Sequence, residues 1–240
     1  MSEPALLAVA HGSADPRAEQ VLDALIARVR SERPGLVAVL AHLGFSAPSV
    51  PAALDSLARQ GVGEVVVVPL LLTAAYHAKV DLPALLSQAA LDQPHVVLRQ
   101  ADVLGPHPLL FDLLRRRLIE AGAEPGMALA LAAVGTSDPA ANAELADVAA
   151  TLGASIGFAS GSPAITDVVA DLRARGIRQV ALATYVLAPG ELADRLHDAG
   201  ADVVTEVLGA APEVVDVVLS RYDAALAGSA SLVDQIRTSA

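Results

Sequence analysis

The chain has 240 residues, no cysteine and a formal net charge of −11, which excludes disulfides, thiolate catalysis and thiolate metal sites and leaves no basic footprint for nucleic acid. Apolar residues make up 54% of it and aromatics only 2%, a globular composition and not a disordered one; acidity of this extent is also repelled by anionic membranes. Met1-Ser2-Glu3-Pro4 has no basic start, and the most apolar stretch, residues 65–75, contains Pro69 and is too short to span a bilayer, so the chain reads as soluble and cytoplasmic.

Residues 6–10 read as a short buried strand, followed by a His11-Gly12-Ser13 turn and then Asp15-Pro16, a helix start in which Asp15 caps free amides and Pro16 has no N–H to leave unpaired. The first helix, to about Glu32, carries Leu22, Leu25, Ile26 and Val29 on one stripe. Pro34-Gly35 breaks it. A second strand over residues 36–43, a loop at 44–48 and a second helix from Val50 to Gln60 follow. Residues 64–72 contain Val65-Val66-Val67-Val68, apolar on both faces as a central parallel strand is. After the loop Thr73-Ala74-Ala75-Tyr76-His77 come a third helix over 81–90, a fourth strand over 96–101 and a fourth helix over 108–121. This alternation predicts an α/β fold with parallel sheets and right-handed crossovers.

The stretch from Gly122 to Gly126 is the natural boundary, giving halves of residues 1–122 and 123–240, because the chain then repeats itself. Val134-Gly135-Thr136-Ser137-Asp138-Pro139 lies over His11-Gly12-Ser13-Ala14-Asp15-Pro16 at an offset of 123. Ile156-Gly157-Phe158 is laid over Leu43-Gly44-Phe45, and Thr184-Tyr185-Val186-Leu187-Ala188-Pro189-Gly190 over Pro69-Leu70-Leu71-Leu72-Thr73-Ala74-Ala75. In the second copy His11 becomes Val134 and His77 becomes Leu192 or a neighbour. One copy therefore carries chemistry and the other is scaffold or lid. The small polar tail from Gly228 is expected to fray.

His11 and His77 follow the first and third strands. In doubly wound sheets these strands are neighbours at the switch point, so both loops leave at the carboxyl edge where ligands bind. Two imidazoles facing across a crevice can hold a divalent metal with open positions and accept protons near neutral pH. His107 reads as a turn residue, and His95 and His197 as surface. Two other classes stay open: a carrier that binds without turnover, and a nucleotide-binding module, against which no P-loop or G-x-G-x-x-G follows any strand.

Ala10-His11-Gly12-Ser13 with Asp15-Pro16, then Phe45-Ser46-Ala47-Pro48-Ser49, then the run from Val68 through Thr73-Ala74-Ala75-Tyr76-His77 to Asp81-Leu82-Pro83 together resemble the sirohydrochlorin chelatase family, the class II tetrapyrrole metal chelatases, in its long two-repeat form. The resemblance implies two tandem flavodoxin-like parallel-sheet halves with a cleft between them. It implies ATP-independent insertion of Fe²⁺ or Co²⁺ into sirohydrochlorin, iron being favoured, with no permanently bound cofactor and a monomer sufficing. It makes His11 proton acceptor and metal ligand and His77 its partner ligand. Ser13, Leu72, Thr73, Ala74, Ala75, Tyr76 and Lys79 fall on the substrate side, and for the carboxylates of such a macrocycle the resemblance makes Arg17, Lys79, Ser13 and the amides at the helix start the candidate donors. Many members place a carboxylate in the loop after the second strand, where this chain has Gly44 and Ala47; His42 is the nearby candidate to compensate.

Overall fold

The computed structural model describes residues 3–228; the tail expected to fray beyond Gly228 lies outside them. The chain begins with β1 (Ala5–Ala10), α1 (Pro16–Glu32), β2 (Ala38–His42), α2 (Val50–Arg59) and β3 (Glu64–Pro69). A π-turn (His77–Asp81), α3 (Leu82–Asp92), β4 (Val97–Gln100) and α4 (Pro108–Glu120) complete the first copy. The sheet is parallel in the order β2-β1-β3-β4, so β1 and β3 are hydrogen-bonded neighbours.

All six residues of β1 are buried, and Val65, Val66, Val67 and Val68 are fully so. Leu7, Val9, Val65 and Val67 face one core with Leu54 and Leu57 of α2 and Leu82 and Leu86 of α3. Strand alternation sends Leu6, Ala8, Ala10, Leu40 and His42 to the opposite face, where α1 packs on β2 and buries Leu22, Leu25, Ile26 and Val29. Each such side chain contributes roughly 1.5–3 kcal/mol on burial, which makes this doubly covered sheet a stiff floor for the loops at its carboxyl edge. The start of α1 is as expected: the Arg17 N–H donates to the Asp15 carboxylate at 2.9 Å.

The second copy runs β5 (Ala128–Ala133), α5 (Pro139–Leu152), β6 (Ala154–Phe158), α6 (Ile165–Ala174), β7 (Val180–Tyr185), α7 (Glu191–His197), β8 (Val203–Val204) and α8 (Pro212–Ala227). Its parallel sheet has the same order, β6-β5-β7-β8. The fold is therefore α/β, with two four-stranded parallel sheets built by tandem copies.

The compact units do not divide at Gly122–Gly126. One comprises Met1–Leu104 with the chain from Val215 onward, the other Gly105–Val214. The fourth helix of each copy is thus allotted to the other copy's unit, for packing reasons that no local pattern carries. In the second unit α4 packs on β7 and buries Leu110, Leu113, Leu114 and Leu118. Its Arg116 pairs with Glu213 at 2.8 Å, which holds the guanidinium above and the carboxyl below their ordinary pKa ranges. In the first unit the Tyr222 hydroxyl of α8 donates to the Pro4 carbonyl at 2.5 Å while Arg33 lies 5.1 Å from its ring and pairs with Asp223. Burial pushes the Tyr222 hydroxyl up to about 12.

The backbone also corrects the alignment of the copies. Phe158 corresponds to His42, not to Phe45. Each sits opposite the last residue of its central strand, Ala133 or Ala10, and each donates its N–H to a proline carbonyl, Pro163 or Pro48. Three residues separate Gly44 from Pro48, but two separate its counterpart Ser160 from Pro163, so the second loop is one residue shorter. The pairings Ala5 with Val65 and Ala128 with Val180 carry forward to set His77 against Leu192 and Asp81 against Leu196. Among the described residues no helix is long and apolar enough to cross a membrane.

Candidate active site

The loops after β1 and β3 leave neighbouring strands at one sheet edge, and they bring the two histidines together. His11 Nε2 and His77 Nε2 lie 3.1 Å apart, with ring centroids at 4.5 Å and planes at 71°. The separation of 66 positions in sequence is closed entirely by strand order.

His77 opens the π-turn, in which the Leu82 N–H reaches back to the His77 carbonyl. The turn sets Asp81 beneath the imidazole: His77 Nδ1 is 2.6 Å from Asp81 Oδ2. A carboxylate there accepts the Nδ1 hydrogen and fixes the tautomer, leaving Nε2 as a bare lone pair. The His11–His77 hydrogen bond then has His11 Nε2–H as donor. In this resting arrangement one proton lies between the rings; an ion held by both nitrogens would sit to one side of the line joining them, because half of 3.1 Å is shorter than a metal–imidazole bond of about 2 Å.

His11 is held differently. Its Nδ1 makes a long 3.3 Å contact with the Gly12 carbonyl, and its ring stacks on Phe45 at 5.7 Å and 29°. The loop carrying Phe45 is tied to the His11 turn by Leu43 N–H to the Ala10 carbonyl and Gly44 N–H to the His11 carbonyl. Ser46 Oγ completes the tie, accepting from Ser13 N–H and donating to the Ser13 carbonyl. Only glycine fits between the loops: a Cβ on Gly12, at φ +92°, would lie 1.7 Å from the Gly44 oxygen. His11, Gly44, Phe45, His77, Asp81 and Gln88 line a cavity of ≈ 500 Å³.

The other expected residues are placed as follows. Tyr76 is exposed, its ring 6.0 Å from that of His77. Leu72, Thr73, Ala74 and Ala75 are half-buried in the loop after β3, and Lys79 is exposed on the π-turn; none of these five lines the cavity. The Ser13 hydroxyl accepts the Asp15 N–H at 3.0 Å, shaping the turn. Arg17 is engaged by Asp15, whose carboxyl that guanidinium holds below the usual range. His42 is buried toward α1, its Nε2 3.3 Å from Glu19 Oε2, and lies outside the cavity lining. His107 caps α4, its Nδ1 accepting the Leu109 N–H. Among the described residues no third His, Cys, Asp or Glu joins the pair in a metal-holding group, in keeping with Gly44 and Ala47 where a carboxylate was sought. Sequence reasoning placed Asp81 and Phe45 in the stretches that carry the resemblance but gave neither a role. The signal for Asp81 was its i,i+4 spacing from His77 on a helical stretch; for Phe45 it was an aromatic within a loop motif in a chain with few aromatics.

Comparison with known proteins bears on the family and the fold. The chain matches the profile of the family described as CbiX over residues 5–121 and 128–225. It is 28% identical over 208 residues to a sirohydrochlorin cobaltochelatase of Priestia megaterium, covering 80% of this chain and 67% of that protein. It is 26% identical over 205 residues to a sirohydrochlorin ferrochelatase of the same organism, covering 81% and 77%. In fold it resembles SirB from Bacillus subtilis with Fe³⁺, at a TM-score of 0.83 and 23% identity over 95% of this chain and 97% of that one.

Proposed function

The chain belongs to the CbiX family, and from that premise we propose that it inserts a divalent metal, Fe²⁺ or Co²⁺, into sirohydrochlorin. It is a chelatase: one M²⁺ enters the macrocycle and two pyrrole N–H protons leave, so charge balances without ATP or a redox partner. The observation that carries the reading to this site is the 3.1 Å approach of the two imidazole Nε2 atoms, lost in the copy that keeps the turns.

Insertion needs a base near the macrocycle centre and a holder for the incoming ion at the same point. His77, its Nδ1 hydrogen bonded to Asp81, offers a bare Nε2 for either task. Once the His11 proton is carried on Nδ1, beside the Gly12 carbonyl, instead of on Nε2, the ring stays neutral and the pair presents two lone pairs to one ion. Two ligands leave the ion loosely held, which suits a metal that must move on to four pyrrole nitrogens. Imidazole donors hold cobalt more tightly than iron, so the choice of iron rests on supply and not on affinity. The metal is thus a substrate in transit, with no permanently bound cofactor, and a single chain in the cytoplasm suffices.

The test is an anaerobic absorbance assay with sirohydrochlorin and Fe²⁺ or Co²⁺, with His11→Ala and His77→Ala alongside. The expected result is a rate above the spontaneous one, catalytic in protein and lost in both variants. Tight pigment binding with only the spontaneous rate would replace the enzyme with a carrier, the reading that the two-residue ligand set favours next.

A further inference from the structure

Phe45 is the one non-glycine residue with positive φ among those described, at +60°. Such backbone disfavours a side chain and persists where surrounding structure enforces it, most often at functional sites. Here the Gly44 and Ser46 hydrogen bonds to the His11 turn enforce it. The phenyl so held is 79% exposed.

The chain has only three phenylalanines and three tyrosines. Phe158, Tyr185 and Tyr222 are buried and Phe111 is half-buried, whereas Phe45 and Tyr76 are exposed, and these two bracket the histidines. Ring centroids run from Phe45 to His11 at 5.7 Å, from His11 to His77 at 4.5 Å and from His77 to Tyr76 at 6.0 Å. The second copy dismantles the near end of this row: its loop is one residue shorter and follows Ser160 with Gly161, which has no side chain. Neither fold nor turn therefore requires the phenyl.

We infer that Phe45 is a binding residue for the conjugated surface of the macrocycle, an inference that rests on the function proposed above. One face of the phenyl packs on His11, and the rest is given to the ligand. Its plane lies 29° from that of His11, so a macrocycle met end-on by His11 Nε2 meets the phenyl at its edge. An electropositive ring edge against a π-face is the T-shaped arrangement that aromatic pairs favour. The contact removes water from one pyrrole ring and sets the macrocycle centre over the Nε2 pair. Tyr76 bounds the opposite end of the row.

The experiment measures binding of metal-free sirohydrochlorin by its fluorescence, and initial rates with Co²⁺, for the native chain and for Phe45→Ala, Phe45→Leu, Phe45→Tyr and Phe45→Gly. Leu91→Ala serves as a control, removing an exposed apolar side chain of α3 outside the cavity lining. Phe45→Ala is expected to raise pigment Kd and KM about ten-fold, with a much smaller change in kcat. Phe45→Leu falls between, and Phe45→Tyr restores binding. Phe45→Gly suits the left-handed backbone and keeps the test valid if the other variants fold poorly. Native pigment affinity in Phe45→Ala with kcat lost would overturn the inference, reducing Phe45 to a brace for His11. Equal weakening in Leu91→Ala would overturn it as general stickiness. Failure of the proposed function is a separate result: a native chain that inserts no metal above the spontaneous rate, whatever its pigment affinity.

Discussion

The two copies share strand order, turn glycines and the Asp-Pro helix start, yet at corresponding positions one has His11, His77 and Asp81 and the other Val134, Leu192 and Leu196. The second set costs the fold nothing: Leu196 is fully buried in the core of its unit. In the first set His11 is exposed and His77 and Asp81 are half-buried, so none of the three fills a core. A turn that folds equally well with valine does not retain histidine for stability. This difference is what supports the proposal that the chemistry belongs to the first copy and that the second supplies architecture.

Writing the second copy's residues into the first breaks this comparison most severely. His11→Val with His77→Leu is expected to lower the metal-insertion rate by about 10²–10⁴-fold, to near the spontaneous level, without lowering the melting temperature. The measurement is kcat/KM beside a thermal melt. Retained rate in a folded double variant would mean that the imidazoles are incidental.

A glycine pair separates architecture from chemistry. A Cβ on Gly12 would sit 1.7 Å from the Gly44 oxygen, and one on Gly135 2.4 Å from the Ser160 oxygen, both at left-handed φ. Gly12→Ala and Gly135→Ala are each expected to destabilise, by about 3 kcal/mol and about 1–3 kcal/mol respectively. Only Gly12→Ala also displaces the Phe45 loop from His11. Denaturant melts give the first effect, and rates measured where both variants are folded give the second. Equal loss of rate in the two would deny that the first copy alone carries the chemistry.

Asp81 sharpens the contrast further, because it touches no reacting atom yet disappears with the histidines. Asp81→Asn keeps the shape but removes the carboxylate that orients His77 at 2.6 Å. Metal affinity by calorimetry, and kcat/KM with it, are expected to fall about 10–100-fold. Pigment affinity should hold, since Asp81 is argued to act through His77.

How much of this could be read from the chain varies with how local each feature is. The Val65–Val68 run and the α1 stripe announced their elements because burial on two faces or one stripe leaves a periodic trace. The histidine pair was legible because strand order converts sequence position into edge position. The Ile156-Gly157-Phe158 alignment failed because three similar letters outweighed a one-residue deletion that only ladder hydrogen bonds reveal. The allotment of α4 and α8 was invisible for a related reason: an apolar stripe says that a helix packs, not on which sheet. His42 was ambiguous between core and site, and strand alternation beside Ala10 resolved it toward α1.

The smallest expected effect distinguishes the copies by pH. Asp202 accepts the Val180 N–H at the start of β7 at 2.7 Å and pairs with Arg173 at 2.7 Å. The corresponding strand start in the first copy has no such carboxylate; there Arg99 and Glu64 pair across β3 and β4. The Val180 N–H foremost, and then Arg173, hold the Asp202 carboxyl below its ordinary value of 3.8. A carboxyl depressed on folding adds stability that is complete above the unfolded value and is lost as pH falls through the folded one. Asp202→Asn should therefore melt slightly below the native chain at neutral pH, and the two curves should converge as pH drops below about 3.8. Because the group is exposed, solvent screening keeps the gap small. A gap that stayed constant down to pH 2 would assign the effect to the hydrogen bond's shape instead of its charge.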